Sequence, residues 1–466
     1  GGRLILSHQT IKLDSLPLSI PKLERAPHTI ADSIVRSIYW EAEKIAQAST
    51  SCAVEARINW DRKIDDILTS RLWGFPVMLL MLTGVLWLTI SGANVPSELL
   101  ATGLFWLHDR LLDLFIALNA PHWLTGFFVL GVFRSVAWAV SVMLPPMAIF
   151  FPLFTLLEDT GYLPRVAFNL DACFKKAGAH GKQALTMCMG LGCNAAGTIS
   201  CRIIDSPRER LIATLTNNFV PCNGRFPTLI VLSSIFIGGT VAISWQGLSA
   251  ALSVAAVMVL GVVITLLVSW LLSKTLLKGQ PSSFALELPP YRKPKIGEVI
   301  IRSILDRTLF VLGRAVVIAA PAGGLVWVLA NTSWGDTTTL AAIAGWLDGF
   351  ARLMGLDGYI LLAFILGLPA NEIVLPTLIM SYLAEGALLE LNSVAALHHL
   401  LVEQYGWTWL TAVCVMLFSL CHWPCGTTLY TIKKETNSWK WTGMAFLLPT
   451  LVGIFLCMAV TFVVGL

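Results

Sequence analysis

Two kinds of apolar segment recur along the chain. Residues 75–93, 124–158, 248–272, 309–330 and 442–466 are each long enough to cross a bilayer, since about 20 apolar residues span the hydrocarbon as a helix. Residues 183–200, 211–237, 358–384 and 407–424 are also apolar, but Gly, Pro, Asn or Glu interrupt them. A proline inside a helix removes a backbone donor and clashes with the preceding turn. In a bilayer the carbonyls it frees must face protein, a ligand or a water-filled path. The pattern predicts an all-α polytopic membrane protein in which the interrupted segments are broken or re-entrant helices.

Lys and Arg collect in cytoplasmic loops, so they orient the spans. Arg57, Arg62, Lys63 and Arg71 precede the first span and put the N-terminus inside. Arg165, Lys175, Lys176 and Lys182 follow the second, and Arg202, Arg208 and Arg210 follow residues 183–200. Basic residues on both sides of 183–200 predict a re-entrant hairpin. The linker 273–308 carries Lys274, Lys278, Arg292, Lys293, Lys295, Arg302 and Arg307. Its Pro281, Pro289, Pro290 and Pro294 make it an extended cytoplasmic connector. Residues 331–357 have one cation and 385–406 none. Both stretches are therefore read as external, and 358–384 as a second re-entrant element. Lys433, Lys434 and Lys440 return the chain inside, and 442–466 leaves again.

A repeat follows from the same pattern. Each half opens with an apolar helix bearing an early arginine, Arg134 or Arg314, and then a glycine-rich break at Gly190 or Gly367. The arginine-to-glycine spacing is 56 residues in one half and 53 in the other, and each half ends in Pro-Cys, at 221–222 or 424–425. The loop count makes the two repeats inverted. Inverted repeats with paired broken helices are a transporter architecture, with the site at the midplane between them. The predicted division is a cytoplasmic helical segment at 1–70 and a first span with an outer amphipathic stretch at 71–123. Gate repeat 1 follows at 124–238, a span and linker at 239–308, gate repeat 2 at 309–432 and a last span at 433–466. His108, Asp109 and Asp113 are read as interfacial.

Composition agrees. Hydrophobic residues are 56% and charged ones 13%, against about 25% charged in a soluble domain. Residues 1–70 have no apolar core of the kind a cleavable signal needs. The chain opens Gly1-Gly2 rather than Met, which reads as a fragment or a processed product. A net charge of +4, spread along the chain, does not suggest nucleic acid. The ten cysteines are not spaced as a disulfide framework. Cys52, Cys173, Cys414 and Cys457 are read as small hydrophobes.

The chemistry concentrates at the breaks. Met187-Cys188-Met189-Gly190-Leu191-Gly192-Cys193-Asn194 places soft ligands beside glycines that let backbone approach closely. Cys193 is its strongest candidate, with Cys188 and Cys201 weaker. Pro221-Cys222 is followed by Arg225 and Pro227, and Arg225 is read as a clamp on the broken helix. In Cys421-His422-Trp423-Pro424-Cys425, thiol and imidazole suit borderline ions such as Fe²⁺ or Zn²⁺. Glu372 follows Pro369-Ala370-Asn371, and a carboxylate at membrane depth needs a partner. It is either paired with Arg134, Arg225 or Arg314, or it is a ligand or proton relay. Cys421 and Cys425 resemble a redox dithiol, but without its soluble βαβ context. His398 and His399 lie in an outer loop. The chain has no P-loop motif and no Ser-His-Asp or zincin pattern.

From Asp61 onward the chain resembles the membrane part of the ferrous iron transport protein B family. Asp61-Arg62-Lys63-Ile64-Asp65, Gly161-Tyr162-Leu163-Pro164-Arg165 and Gly190-Leu191-Gly192-Cys193-Asn194 carry the likeness. So do Asp205 to Arg210, Asn217 to Pro227, Gly367 to Glu372 and Pro424-Cys425-Gly426-Thr427. The resemblance implies uptake of Fe²⁺ across the bacterial cytoplasmic (inner) membrane. Cys193, Cys222 and Cys425 would line the ion path with Glu372, while Asn194, Pro221, Pro227, Pro369, Asn371 and Pro424 shape it. It also implies a GTP-binding domain using GTP and Mg²⁺, which family members carry before the membrane part. Residues 1–60 resemble only the end of the helical region that follows that domain. The GTPase is thus expected on a separate chain, or the sequence is a fragment. Small cytosolic iron-transport accessory proteins, and a second copy in a homo-oligomer, are further expected partners. A nucleoside or organic-solute carrier and a membrane thiol oxidoreductase are the alternatives.

Overall fold

The apolar runs become helices in a computed structural model of the chain. The structure describes residues 28–49, 60–70, 72–237, 245–279, 291–292, 294–334, 337–369, 371–384 and 397–465. Cys52, Arg57, Arg71, Pro281, Pro289, Pro290, Lys293 and Ala370 lie outside the described residues, as does the side chain of Arg314. Gly1–Arg57 is a unit of its own whose described element is α1 (His28–Ser49). All that follows concerns Ile58–Leu466.

α2 (Trp60–Leu68) leads to α3 (Gly74–Ala117). α4 (His122–Thr125) continues through a π-helical stretch, Gly126–Phe133, into α5 (Arg134–Asp159) and then α6 (Tyr162–Lys176). The first interrupted region comprises α7 (Gln183–Gly192), α8 (Asn194–Ser200), α9 (Pro207–Thr216) and α10 (Phe226–Phe236). α11 (Gln246–Lys274) crosses before the linker with α12 (Ile296–Arg302). α13 (Phe310–Asn331) opens the second half. A two-residue antiparallel ribbon, β1 (Ser333–Trp334) with β2 (Thr337–Thr338), then turns the chain into α14 (Thr339–Leu353). α15 (Gly358–Leu366), α16 (Val374–Ala384), α17 (Trp409–Cys421) and α18 (Gly426–Thr436) form the second interrupted region. α19 (Trp439–Gly465) ends the chain.

Among the described residues five helical stretches are long and apolar enough to cross a membrane: Gly74–Ala117, His122–Asp159, Gln246–Lys274, Trp409–Thr436 and Trp439–Val464. Their outer faces are apolar too. Leu451, Phe455 and Phe462 of α19 are all at least 60% exposed, as expected of a helix whose solvent is lipid. The inner faces meet in two cores. One joins α5, α10, α11, α15, α16 and α17, with Phe150 edge-on to Phe226 and Phe364 edge-on to Phe418. The other joins α6, α7, α9, α11, α17 and α19.

Two features differ from the sequence reading. The outer amphipathic stretch is not a separate element, because α3 runs unbroken through Pro96 to Ala117. Its 44 residues extend about 66 Å at 1.5 Å per residue, and His108 is buried against Phe133 rather than interfacial. The stretch 331–357, read as a loop, holds a further helix, α14, whose axis turns by 106° into α15. Proline alone does not break these helices. α5 keeps Pro145, Pro146 and Pro152, and α13 keeps Pro321. Neighbouring helices re-satisfy single lost bonds, so only breaks that add Gly, Asn or Cys open the chain.

At the basic end one carboxylate ties three parts of the chain together. Asp65 accepts from Arg165 Nε at 2.9 Å and Nη2 at 3.2 Å, and from the Tyr291 hydroxyl at 2.7 Å. The Arg165 guanidinium lies 4.0 Å from the Tyr291 ring centre. The Arg165 hydrogen bond holds Asp65 below the usual carboxylate range, against partial burial and with help from Tyr291. A depressed carboxylate contributes stability above its unfolded value and loses it as pH falls through its folded value. The detergent-solubilised protein should therefore lose thermal stability below the ordinary value of pH 3.8. In Asp65→Asn that acid-side slope should be shallower, as read by melting midpoints between pH 7 and 3.

Candidate functional site

Four interruptions converge. In the first hairpin α7 ends at Gly192, and Cys193 is extended at φ −157°, ψ 124° before α8 begins. The two arms close on the Asn217 side chain. A Cβ at Gly197 would lie 2.6 Å from Asn217 Nδ2 and 2.9 Å from Gly190 Cα, so glycine is required there. After α9 the chain passes through a 3-10 turn, Asn217–Phe219, then Val220-Pro221-Cys222, then a second 3-10 turn, Asn223–Arg225. Pro221 cannot donate into a continuing helix. Pro227 lies in the first turn of α10, where its missing donor has no intrahelical partner to lose. In the second half α15 ends at Gly367, and Asn371–Ile373 form a 3-10 turn before α16. α17 ends at Cys421, and Cys425 caps α18 from an extended conformation. Gly426 N donates to Leu368 O at 2.9 Å, which stitches the last two breaks together.

Arg225 joins the halves. It is 1% exposed. Its Nη1 donates to Asn218 O at 2.8 Å and Leu420 O at 2.7 Å. Its Nη2 donates to Asn218 Oδ1 at 3.1 Å, His422 O at 3.1 Å and Trp423 O at 3.3 Å. The carbonyls freed by the break at Pro424 are thus satisfied by an arginine from the break at Pro221. Asn218 Nδ2 also donates to His422 O at 2.8 Å, and Asn194 Nδ2 to Asn218 Oδ1 at 3.1 Å. Asn217 Nδ2 donates to Asn194 O at 3.0 Å. The clamp expected of Arg225 is present, and it grips the opposite repeat as well as its own.

Around this joint the structure gathers four of the expected ligands. Cys222 and Cys425 each lie within electrostatic range of the other, of Cys193 and of Glu372. Both cysteines are buried, and Glu372 is 4% exposed. The Glu372 carboxylate packs against Gly224, where a Cβ would stand 3.0 Å from its Cδ and Oε2. The Cys425 thiol meets Thr428 Oγ1 at 3.3 Å. Among the described residues no three His, Cys, Asp or Glu side chains stand close enough to hold a metal ion together.

Cys421 and His422 are placed differently from the others. Cys421 packs against Gly453 of α19, where an added Cβ would lie 3.2 Å from its own. Cys421 and Cys425 are both free and face different neighbours, which does not favour a dithiol. His422 Nδ1 faces the carbonyls of Phe418 and Ser419 at 3.1 and 2.9 Å, so it carries the proton. Its Nε2 lies 3.2 Å from Asn371 Oδ1, while Asn371 Nδ2 has no partner. Turning that amide over lets Nδ2 donate to Nε2 and satisfies both groups. His422 and Asn371 thereby brace two breaks against each other. His399 pairs with Glu403 at 3.1 Å in the outer π-helical turn His399–Gln404. The sequence reading assigned no role to Asn217, Asn218 or Gly224. Two consecutive carboxamides inside an apolar segment were the available signal.

Crossing helices interrupted at paired, mutually satisfied breaks define a polytopic α-helical membrane protein with a buried polar joint. The model of the ferrous iron transport protein B C terminus matches residues 254–306. A model described as nucleoside recognition matches twice, at 140–236 and 312–439. The Fe(2+) transporter FeoB of Staphylococcus aureus (strain MSSA476) is 26% identical over 419 residues, covering 87% of this chain and 60% of the relative. That of Methanocaldococcus jannaschii is 27% identical over 422 residues, covering 88% and 59%. A Porphyromonas gingivalis (strain W83) protein named as a fusion of Fe(2+) transport protein A and FeoB is 25% identical over 424 residues, covering 81% and 48%. No solved structure matches. The chain belongs to the ferrous iron transport protein B family and spans about 60% of the length of the first of these relatives.

Arg225→Lys keeps the charge but loses the fork. It should lower unfolding stability by about 3 kcal/mol, since hydrogen bonds to charged groups contribute roughly 1.5–3 kcal/mol each. Denaturant midpoints in detergent would read this.

Proposed function

We propose that this chain is the membrane part of a permease that carries Fe²⁺ inward across the bacterial cytoplasmic membrane. The observation that carries the proposal is that Arg225 binds the two Pro-Cys breaks into one buried joint, with Glu372 packed against Gly224 two residues from Cys222. The names of the relatives supply the ion. Thiolate, carboxylate and freed carbonyl oxygen together suit a borderline divalent cation. Passage requires ligands that strip water yet release the ion. On this reading a small shift of one repeat against the other closes the four groups around Fe²⁺, and a further shift opens them inward.

The N-terminus is then cytoplasmic and the C-terminus external. A GTP-binding domain or a separate GTPase, with GTP and Mg²⁺, biases the motion through residues 1–70 and the 273–308 linker. The Asp65, Arg165 and Tyr291 cluster fits that role, because it joins both regions to the helix leading into the first hairpin. The fusion relative supports a small accessory protein as a partner. Assembly as a homo-oligomer belongs to the same reading.

Radiolabelled Fe²⁺ uptake into proteoliposomes, with a GTPase partner and GTP added, tests this. Cys222→Ser and Cys425→Ser should each lower uptake roughly tenfold or more, because a hydroxyl is a poor substitute for a soft thiolate ligand. Cys421→Ser should stay within about twofold, since it removes a packing thiol. Uptake unchanged in the first two would favour a nucleoside or organic-solute carrier, the reading suggested by the second matching model.

A further inference from the structure

α8 and α18 both begin at a cysteine of the joint. Cys193 is the N-cap of α8 and Cys425 the N-cap of α18. The two helices, one from each half, pack side by side. Their far ends are also joined. Arg202, two residues beyond α8, donates from Nε to Glu435 Oε2 at 2.8 Å and from Nη2 to Glu435 Oε1 at 2.7 Å. Glu435 lies in the last turn of α18. At 1.5 Å per residue, the 11 residues of α18 put this pair about 16 Å from the joint. Beside it opens a cavity of about 240 Å³, whose wall includes Thr198, Cys201, Arg210, Thr214, Thr436 and Trp441. Its wall mixes hydroxyls and charge with the apolar side chains of Pro207, Leu211 and Trp441. Lys182, Arg208, Lys433 and Lys434 mark this as the basic end.

We propose that Arg202 and Glu435 are the inner latch of the ion path, and that this cavity is the exit vestibule the latch closes. The inference deepens the permease reading and rests on it. Drawing α8 away from α18 would open a line from the cysteines to the vestibule. That movement breaks both bonds of the Arg202–Glu435 fork and frees a carboxylate where a departing cation needs one. Arg202 is 62% exposed at its side chain. Glu435 is 15% exposed; a pair with one partner in solvent biases an equilibrium by roughly fivefold, which suits a latch that must open in every cycle.

The test reads the latch without iron. In inside-out vesicles a membrane-impermeant maleimide is applied, and labelling of Cys425 is followed peptide by peptide with mass spectrometry. Arg202→Gln and Glu435→Gln should each speed Cys425 labelling roughly two- to fivefold. The charge-swapped double variant, Arg202→Glu with Glu435→Arg, should return it towards the wild-type rate. Single variants that label at the wild-type rate would overturn the proposal. So would a rise that the swap leaves in place. If the labelling responds as expected while Cys222→Ser leaves Fe²⁺ uptake intact, the latch stands and the iron reading falls.

Discussion

The architecture depends on one electrostatic constraint, the need to satisfy backbone carbonyls released inside an apolar medium. A carbonyl left unpaired there costs several kcal/mol. The break around Pro424 releases several, and water is not their partner. Arg225 takes those of Leu420, His422 and Trp423 while holding its own break through Asn218. The interruption at Pro424 is thus satisfied from the other repeat. A guanidinium in such a place is itself expensive to desolvate, and its five acceptors offset that.

This mutual satisfaction explains where the cysteines end up. Arg225, three residues after Cys222, holds the carbonyls of Leu420, His422 and Trp423 just before Pro424-Cys425, so the two Pro-Cys pairs come together at the seam. The hairpin adds the third, because Asn194 and Asn217 fasten its tip to the same amide network. Glu372 reaches the seam only because Gly224 has no side chain. The candidate ligands are therefore placed by polar contacts of nearby residues, not by bonds among themselves. Such an arrangement positions the groups while leaving each thiol uncommitted to a permanent partner.

Much of this was legible in the chain, for physical reasons. The continuous spans follow from length and apolarity, which one sequence states directly. The breaks follow from Gly, Asn, Pro and Cys placed where a helix would otherwise continue. What was not legible depends on tertiary partners. Pro96 and Pro145 look like breakers, yet α3 and α5 run through them because neighbouring helices compensate. Cys421 and Cys425 share one motif, yet the non-helical break between them leaves Cys421 against Gly453 and Cys425 at the seam. His422 reads as a ligand until its two nitrogens are seen to face Ser419 and Asn371. α14 lies in a stretch whose shortage of cations announced only that it was external.

Beside the shared apolar cores, two polar connections between the halves differ in strength. At the joint, a fully buried guanidinium with five acceptors resists separation. At the basic end, a half-exposed ion pair holds only weakly against water and salt. α8 and α18 run from the strong contact to the weak one, so a small rotation at the seam becomes a larger opening at their far ends. Asp65 and Arg165 grip the helix that leads into this same hairpin, so a force on the cytoplasmic segments reaches the arm free to swing. On the permease reading proposed above, such a rotation would part the far ends of α8 and α18 more than it disturbs the seam.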